Sequence, residues 1–197
     1  MSETTLQGSE GKSALQTYPS IWAFIVLDSV IFGVFFLVFM VERLAQPGLF
    51  SASAKHLDPW LGFVNTLILI SGSLLVALAV NAHRRGQGER VTRRLLVAAI
   101  AVSSCFGLIK ITEYAEKFGS GITLVTNDFF TLYFALTGLH FVHYLFGMVV
   151  LAYLAWGTSS REATDPRFAI WLESGGLFWH FVDLLWIFLF SMLYLLW

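Results

Sequence analysis

Long apolar runs alternate along this chain with short polar stretches, and the runs are too long for strands. A hydrocarbon core about 30 Å thick takes roughly 20 apolar residues in helical form to cross it. Five windows are long enough, at approximately residues 21–42, 60–82, 93–113, 129–155 and 169–197. Asp58-Pro59 and Asp165-Pro166 each set a capping carboxylate before a proline suited to a first helical turn, and Asn127-Asp128 can cap the fourth window. No window has an internal proline. The expected architecture is all-α: a polar tail over 1–20, then one membrane domain over 21–197 built as a five-helix transmembrane bundle.

Composition agrees with that solvent. The chain is 57% hydrophobic, 16% aromatic and only 13% charged, far more apolar than a soluble domain of this length requires. A formal net charge of -1 and the lack of a basic stripe interleaved with aromatics exclude nucleic acid as an expected partner. Cys105 is the only cysteine and sits within an apolar run, so it is expected to serve packing. The first window follows about twenty largely polar residues and is followed by no small-residue cleavage site, so it is expected to remain as an anchor rather than be removed.

Lysine and arginine suggest the orientation. Lys12, Arg84, Arg85, Arg90, Arg93, Arg94, Arg161 and Arg167 fall on the side of the N-terminus, against Arg43, Lys55 and Lys117 on the other. By the positive-inside rule the N-terminus faces the cytoplasm and the C-terminus the outside. The basic stretch RRGQGERVTRR then reads as a topology signal in a short cytoplasmic turn.

Polar residues within the windows carry the functional signal, because each is costly in lipid and faces a bundle interior. They are Asp28, Asn65, Lys110, Glu113, His140, His143, Glu173, His180 and Asp183. At 1.5 Å per residue, His140, His143, His180 and Asp183 fall near the midplane, Lys110 and Glu113 approach the outer interface and Glu173 the inner one. Lys110 either snorkels outward or pairs with Glu113 inside the bundle; its position allows both. His140 and His143 share a helix face, as do His180 and Asp183, with Glu173 two turns earlier on the same stripe. These are ligand types of a bundle metal site. The same residues also suit a metal-free hydrogen-bond network in which imidazoles bridge Asp183 and the facing helices. The Glu-x-x-His repeats of di-metal bundles are missing from the fourth and fifth windows.

The stretches FFTLYFALTGLHFVHYLFG (129–147) and LFWHFVDLLWIFLFSMLYL (177–195) resemble the last two helices of subunit III of the haem–copper oxidase superfamily. The family pattern is TG-x-H-x-x-H, a glutamate at the head of the last helix, and WHF-V-D-x-x-W. It is matched here by Thr137, Gly138, His140, His143, Glu173, Trp179, His180, Phe181, Asp183 and Trp186. FGLIKITEYAEKF (106–118) is similar to the family's third-helix ending through Glu113 and Tyr114. DSVIFGVFF (28–36) is similar to the helix that carries a buried glutamate, with Asp28 one methylene shorter in its place. Phe141 stands where many relatives have glycine. The length and five windows resemble the short bacterial form, and Lys110 is similar to the branch associated with nitric oxide reductases.

This resemblance implies an accessory subunit without haem or copper of its own. Such a subunit docks on a catalytic haem–copper subunit, holds phospholipid between helix groups, and supports proton uptake and durability of the catalytic centre. It implies a multi-pass protein of the bacterial inner membrane with no catalytic residues and no metal. His140, His143, Glu173, His180, Asp183 and Glu113 would form a structural polar network tying the last two helices together, and Asp28 and Lys110 would have proton- or lipid-related roles. Phe35, Phe36, Phe129, Phe130 and Trp186 read as helix-packing or lipid-facing aromatics. The alternative is a self-contained membrane metalloenzyme with a His/carboxylate site between the third, fourth and fifth helices. A carrier fits less well, since transporters show repeats and broken helices at their sites.

Overall fold

The computed structural model describes residues 18–158 and 165–196. Residues 1–17 of the expected tail, including Lys12, and also Arg161 and Trp197, lie outside those residues. Every regular element among the described residues is helical: α1 (Pro19–Ala45), α2 (Pro47–Ala54), α3 (Pro59–Arg84), α4 (Glu89–Gly119), α5 (Asp128–Gly157) and α6 (Pro166–Phe190), the last running into a π-helical turn, Ser191–Leu195. Five of these helices are long and apolar enough to cross a membrane. Three of them, α3, α5 and α6, start ahead of their apolar windows, where a polar side chain caps the first turn. Asp58 accepts from the Trp60 and Leu61 amides, Asn127 from Phe130 and Asp165 from Arg167.

The turn from α3 to α4 needs Gly86 (φ 64°) and Gly88 (φ 98°), where a side chain would be strained. The sequence reading has no counterpart for α2. Its eight residues are too few to span, and it caps one end of the bundle, where Phe50 packs edge-on against Phe39 and Phe129 at 5.4 and 5.5 Å. At that rim Gln46 donates to Asp128 (2.8 Å), Asn127 to Ser53 (3.0 Å) and Arg43 to the Leu196 carbonyl (2.6 Å).

Helix α3 packs against both α4 and α6, and α5 closes the bundle between α4 and α6. Small residues permit close approach, as is usual where lipid supplies little drive for helix association. A Cβ added at Gly147 on α5 would sit 2.8 Å from the Trp179 ring of α6. Trp179, Trp186, Phe106, Phe129 and Tyr133 are fully buried. Helix α1 lies at the edge, anchored through Phe32 and Phe39 while Leu27, Val30, Val34, Leu37 and Val41 point outward. Cys105 departs from expectation. It lies on the outward face of α4, its thiol directed to the Ala101 carbonyl of its own helix.

Candidate functional site: buried ionisable groups in separate pairs

The ionisable side chains inside the spans form separate clusters at different depths, not one network. Lys110 and Glu113 of α4 make the best-satisfied cluster. Lys110 is 1% exposed, and its Nζ lies 3.0 Å from Glu113 Oε2. It also donates to the Tyr133 and Tyr194 hydroxyls at 3.2 and 3.1 Å. Both tyrosines donate in turn to Glu113 Oε1 at 2.7 Å. The rings of Tyr114, Tyr133, Trp186 and Tyr194 surround the ammonium at 5.1 to 5.7 Å, within cation–π range. A buried ion pair needs such additional partners to offset desolvation. Tyr194 belongs to the π-helical turn, so the irregular end of α6 supplies one wall of the cage.

At the opposite rim, Glu173 of α6 accepts from Arg84 Nε of α3 at 2.6 Å. The sequence reading set Glu173 on the His180 stripe. Its partner is instead an arginine that the charge pattern had assigned only to topology. Tyr18 closes the same rim, its amide donating to Ser174 Oγ at 3.1 Å.

Between these ends the expected His/Asp network is corrected. His180 does not bridge to the fourth apolar window. Its Nδ1 meets Ser73 Oγ of α3 at 2.5 Å. Asp183 is 4% exposed, and neither of its oxygens has a hydrogen-bond partner among the described residues. Ser73 lies beside it without completing a hydrogen bond. His140 is fully buried, with neither ring nitrogen bonded. It sits in an aromatic slot, edge-on to Phe106 at 5.9 Å and tilted over Trp186 at 5.3 Å.

His143 turns the other way, toward Asp28 of α1, with Nε2 to Oδ1 at 3.3 Å. Its Nδ1 lies 2.8 Å from the Leu139 carbonyl. That carbonyl can only accept, so Nδ1 carries a proton. Nε2 then faces Asp28 either as a second donor or as the acceptor of a carboxyl proton, and each arrangement leaves the pair neutral as a whole.

The physical reason for the split is angular. Three residues on an α-helix leave side chains about 60° apart. That suffices to send His140 inward and His143 to α1 when α5 is flanked on both sides. Among the described residues no three His, Cys, Asp or Glu side chains gather as a metal site. The sequence reading missed Ser73, Tyr133 and Tyr194, whose hydroxyls complete the clusters. It also missed Thr66, which accepts from Trp186 Nε1 at 3.1 Å. Hydroxyl residues inside apolar windows were the available signal, though they are common in such helices.

The family model for cytochrome c oxidase subunit III matches residues 1–197. The chain belongs to this family. Relatives named cytochrome c oxidase subunit 3 include one from Synechocystis sp., 28% identical over 174 residues, which covers 88% of this chain and 72% of the relative. One from Alkalihalophilus pseudofirmus is 26% identical over 193 residues, covering 95% and 88%. One from Neurospora crassa is 31% identical over 134 residues, covering 68% and 48%. Within the family fold, the residues of the TG-x-H-x-x-H stretch divide their tasks. Thr137 receives the Tyr114 hydroxyl at 2.7 Å, His140 packs among aromatics, and His143 holds α1.

Proposed function

We propose that this chain is the accessory subunit III of a haem–copper respiratory complex in the bacterial inner membrane, a multi-pass subunit that carries out no redox step itself and stabilises its catalytic partner. The match to the subunit III family over the whole chain carries this reading. The geometry supports it, because Lys110, Glu113, Glu173 and Arg84 are committed to one another, and α1 presents a wide apolar face. The basic residues Arg84, Arg85, Arg90, Arg93, Arg94 and Arg167 favour a cytoplasmic N-terminal rim.

The proposal includes bound phospholipid. A cleft of about 480 Å³ between the start of α1 and helices α5 and α6 is lined by Phe24, Phe146, Trp171 and Phe178, a lining suited to an acyl chain.

Purification in mild detergent followed by mass spectrometry of copurifying proteins and lipids tests the reading. The expected result is a haem–copper catalytic subunit, whose identity also decides between oxygen and nitric oxide as the substrate of the complex. A metal-loaded homo-oligomer lacking that subunit would overturn it.

A further inference from the structure

The cleft between α3 and α6 ends at His180, one helical turn short of a buried acid, Asp183, that the accessory role leaves unused. It measures about 260 Å³ and is lined by Ala77, Val80, Asn81, Arg84, Glu173, Gly176, Leu177 and His180. The two helices run antiparallel here. Arg84 meets Glu173 at the rim, Ser73 meets His180 deeper, and Trp186 meets Thr66 deeper still. The mouth is therefore an ion pair at the membrane edge, with Arg84 37% exposed. The floor is His180, about 10 Å further along α6 by the helical rise.

One turn beyond His180, on the same face, is Asp183. A buried polar group with no partner is costly. Water satisfies such groups where the space is polar and roomy enough to hold it. This cleft has the room, and Asn81, Arg84, Glu173 and His180 supply partners along its length. Ser73 of α3 lies beside Asp183, and the His180 ring that meets Ser73 stands one turn earlier on the same helix. Arg84 and Glu173 close the mouth, and the nearest lysine-centred cluster is saturated with its own bonds.

We propose that the α3/α6 cleft is a one-sided water inlet through which the Asp183 carboxyl exchanges protons with the aqueous phase on the Arg84–Glu173 side, with His180 and Ser73 as the relay. His180 presents Nε2 to the cleft because Nδ1 is turned to Ser73. A proton from cleft water bonds to Nε2 as the Nδ1 proton passes to Ser73 Oγ, and Ser73 gives its own hydroxyl proton to an Asp183 carboxylate oxygen. The donor water becomes hydroxide until bulk water returns a proton, and no electron moves. The reverse sequence discharges the acid. The inlet stands independently of the identity of the catalytic partner.

The test uses the full chain in its native membrane, with Cys105→Ser removing the only thiol. Ala77→Cys places a thiol in the cleft. Leu78→Cys places one at the same depth on the outward face, where Leu78 is 43% exposed. A charged, membrane-impermeant thiosulfonate is applied from each side in turn. The expected result is modification of Ala77→Cys from the Arg84 side alone, on the order of a hundredfold faster than Leu78→Cys. Equal rates at the two positions, or reaction of Ala77→Cys from both sides, would overturn the inlet.

Infrared spectroscopy then follows the carboxyl band that disappears in Asp183→Asn. It is expected to shift promptly in D2O, and on the order of a hundredfold more slowly in Ser73→Ala or His180→Phe, the scale at which a positioned proton donor acts. An Asp183 band that never shifts, or that shifts in both variants as fast as in the parent chain, would overturn the relay.

Discussion

Helices α1 and α6 both span the membrane, yet they meet it in opposite ways. The membrane-spanning stretch of α1 has a mean hydropathy of 2.7 and is 17% buried, whereas that of α6 has 1.7 and is 67% buried. The more apolar helix is the less buried one, the reverse of a soluble protein. In lipid, leucine gains little by leaving the surface, so interiors are chosen by shape and by polar groups that need partners. Helix α6 accordingly carries Glu173, His180, Asp183, Trp186 and Tyr194, and of these Glu173, His180, Trp186 and Tyr194 are answered by α3 or α4. Helix α1 carries Asp28 alone at depth, answered by His143.

This contrast ranks the effects of substitution. Glu113→Leu should be the most damaging, because it strands the Lys110 ammonium among rings at a cost of about 3–5 kcal/mol. The expected readout is a large fall in detergent melting temperature, mostly recovered in the Lys110→Leu/Glu113→Leu double variant. A double variant no better than the single one would show that the tyrosine hydroxyls, and not the charge, hold the end of α6.

Gly147→Ala pushes a methyl group against the Trp179 ring and should cost about 1–3 kcal/mol by overpacking. The reverse partner change, Trp179→Leu in the Gly147→Ala background, should regain part of that loss in the same melting assay.

Asp28→Ala should cost about 1 kcal/mol, typical of an interhelical polar contact in lipid, and the loss should be local. Faster amide exchange in α1, with α3 to α6 unchanged, would sharpen the contrast; global destabilisation would erase it.

Arg84→Gln should be mildest, below about 1 kcal/mol, since the guanidinium is partly exposed and its ion pair is partly screened. Chemical denaturation of the two proteins side by side measures it.

Much of this fold was legible in the order of residues, because the bilayer imposes one length and one secondary structure on each crossing. The proximity of Lys110 to Glu113 follows from helical spacing alone. The choice between snorkelling and pairing does not, because Tyr133 of α5 and Tyr194 of the π-helical turn decide it. The two histidines of α5 were less readable still. A shared face is a statement about one helix, whereas the partners of His140 and His143 depend on which helices flank that face. Helix α2 escaped notice because eight residues carry little periodic signal, and Cys105 because an apolar run looks the same whether it faces protein or lipid.

The widened last turn of α6 makes the number of residues there part of the Lys110 cage. A π turn holds one residue more than an α turn, so closing Ser191–Leu195 to ordinary helical pitch with every residue kept would rotate the Tyr194 phenol away from Glu113, whereas losing one residue there would let the turn close with the phenol nearly in place.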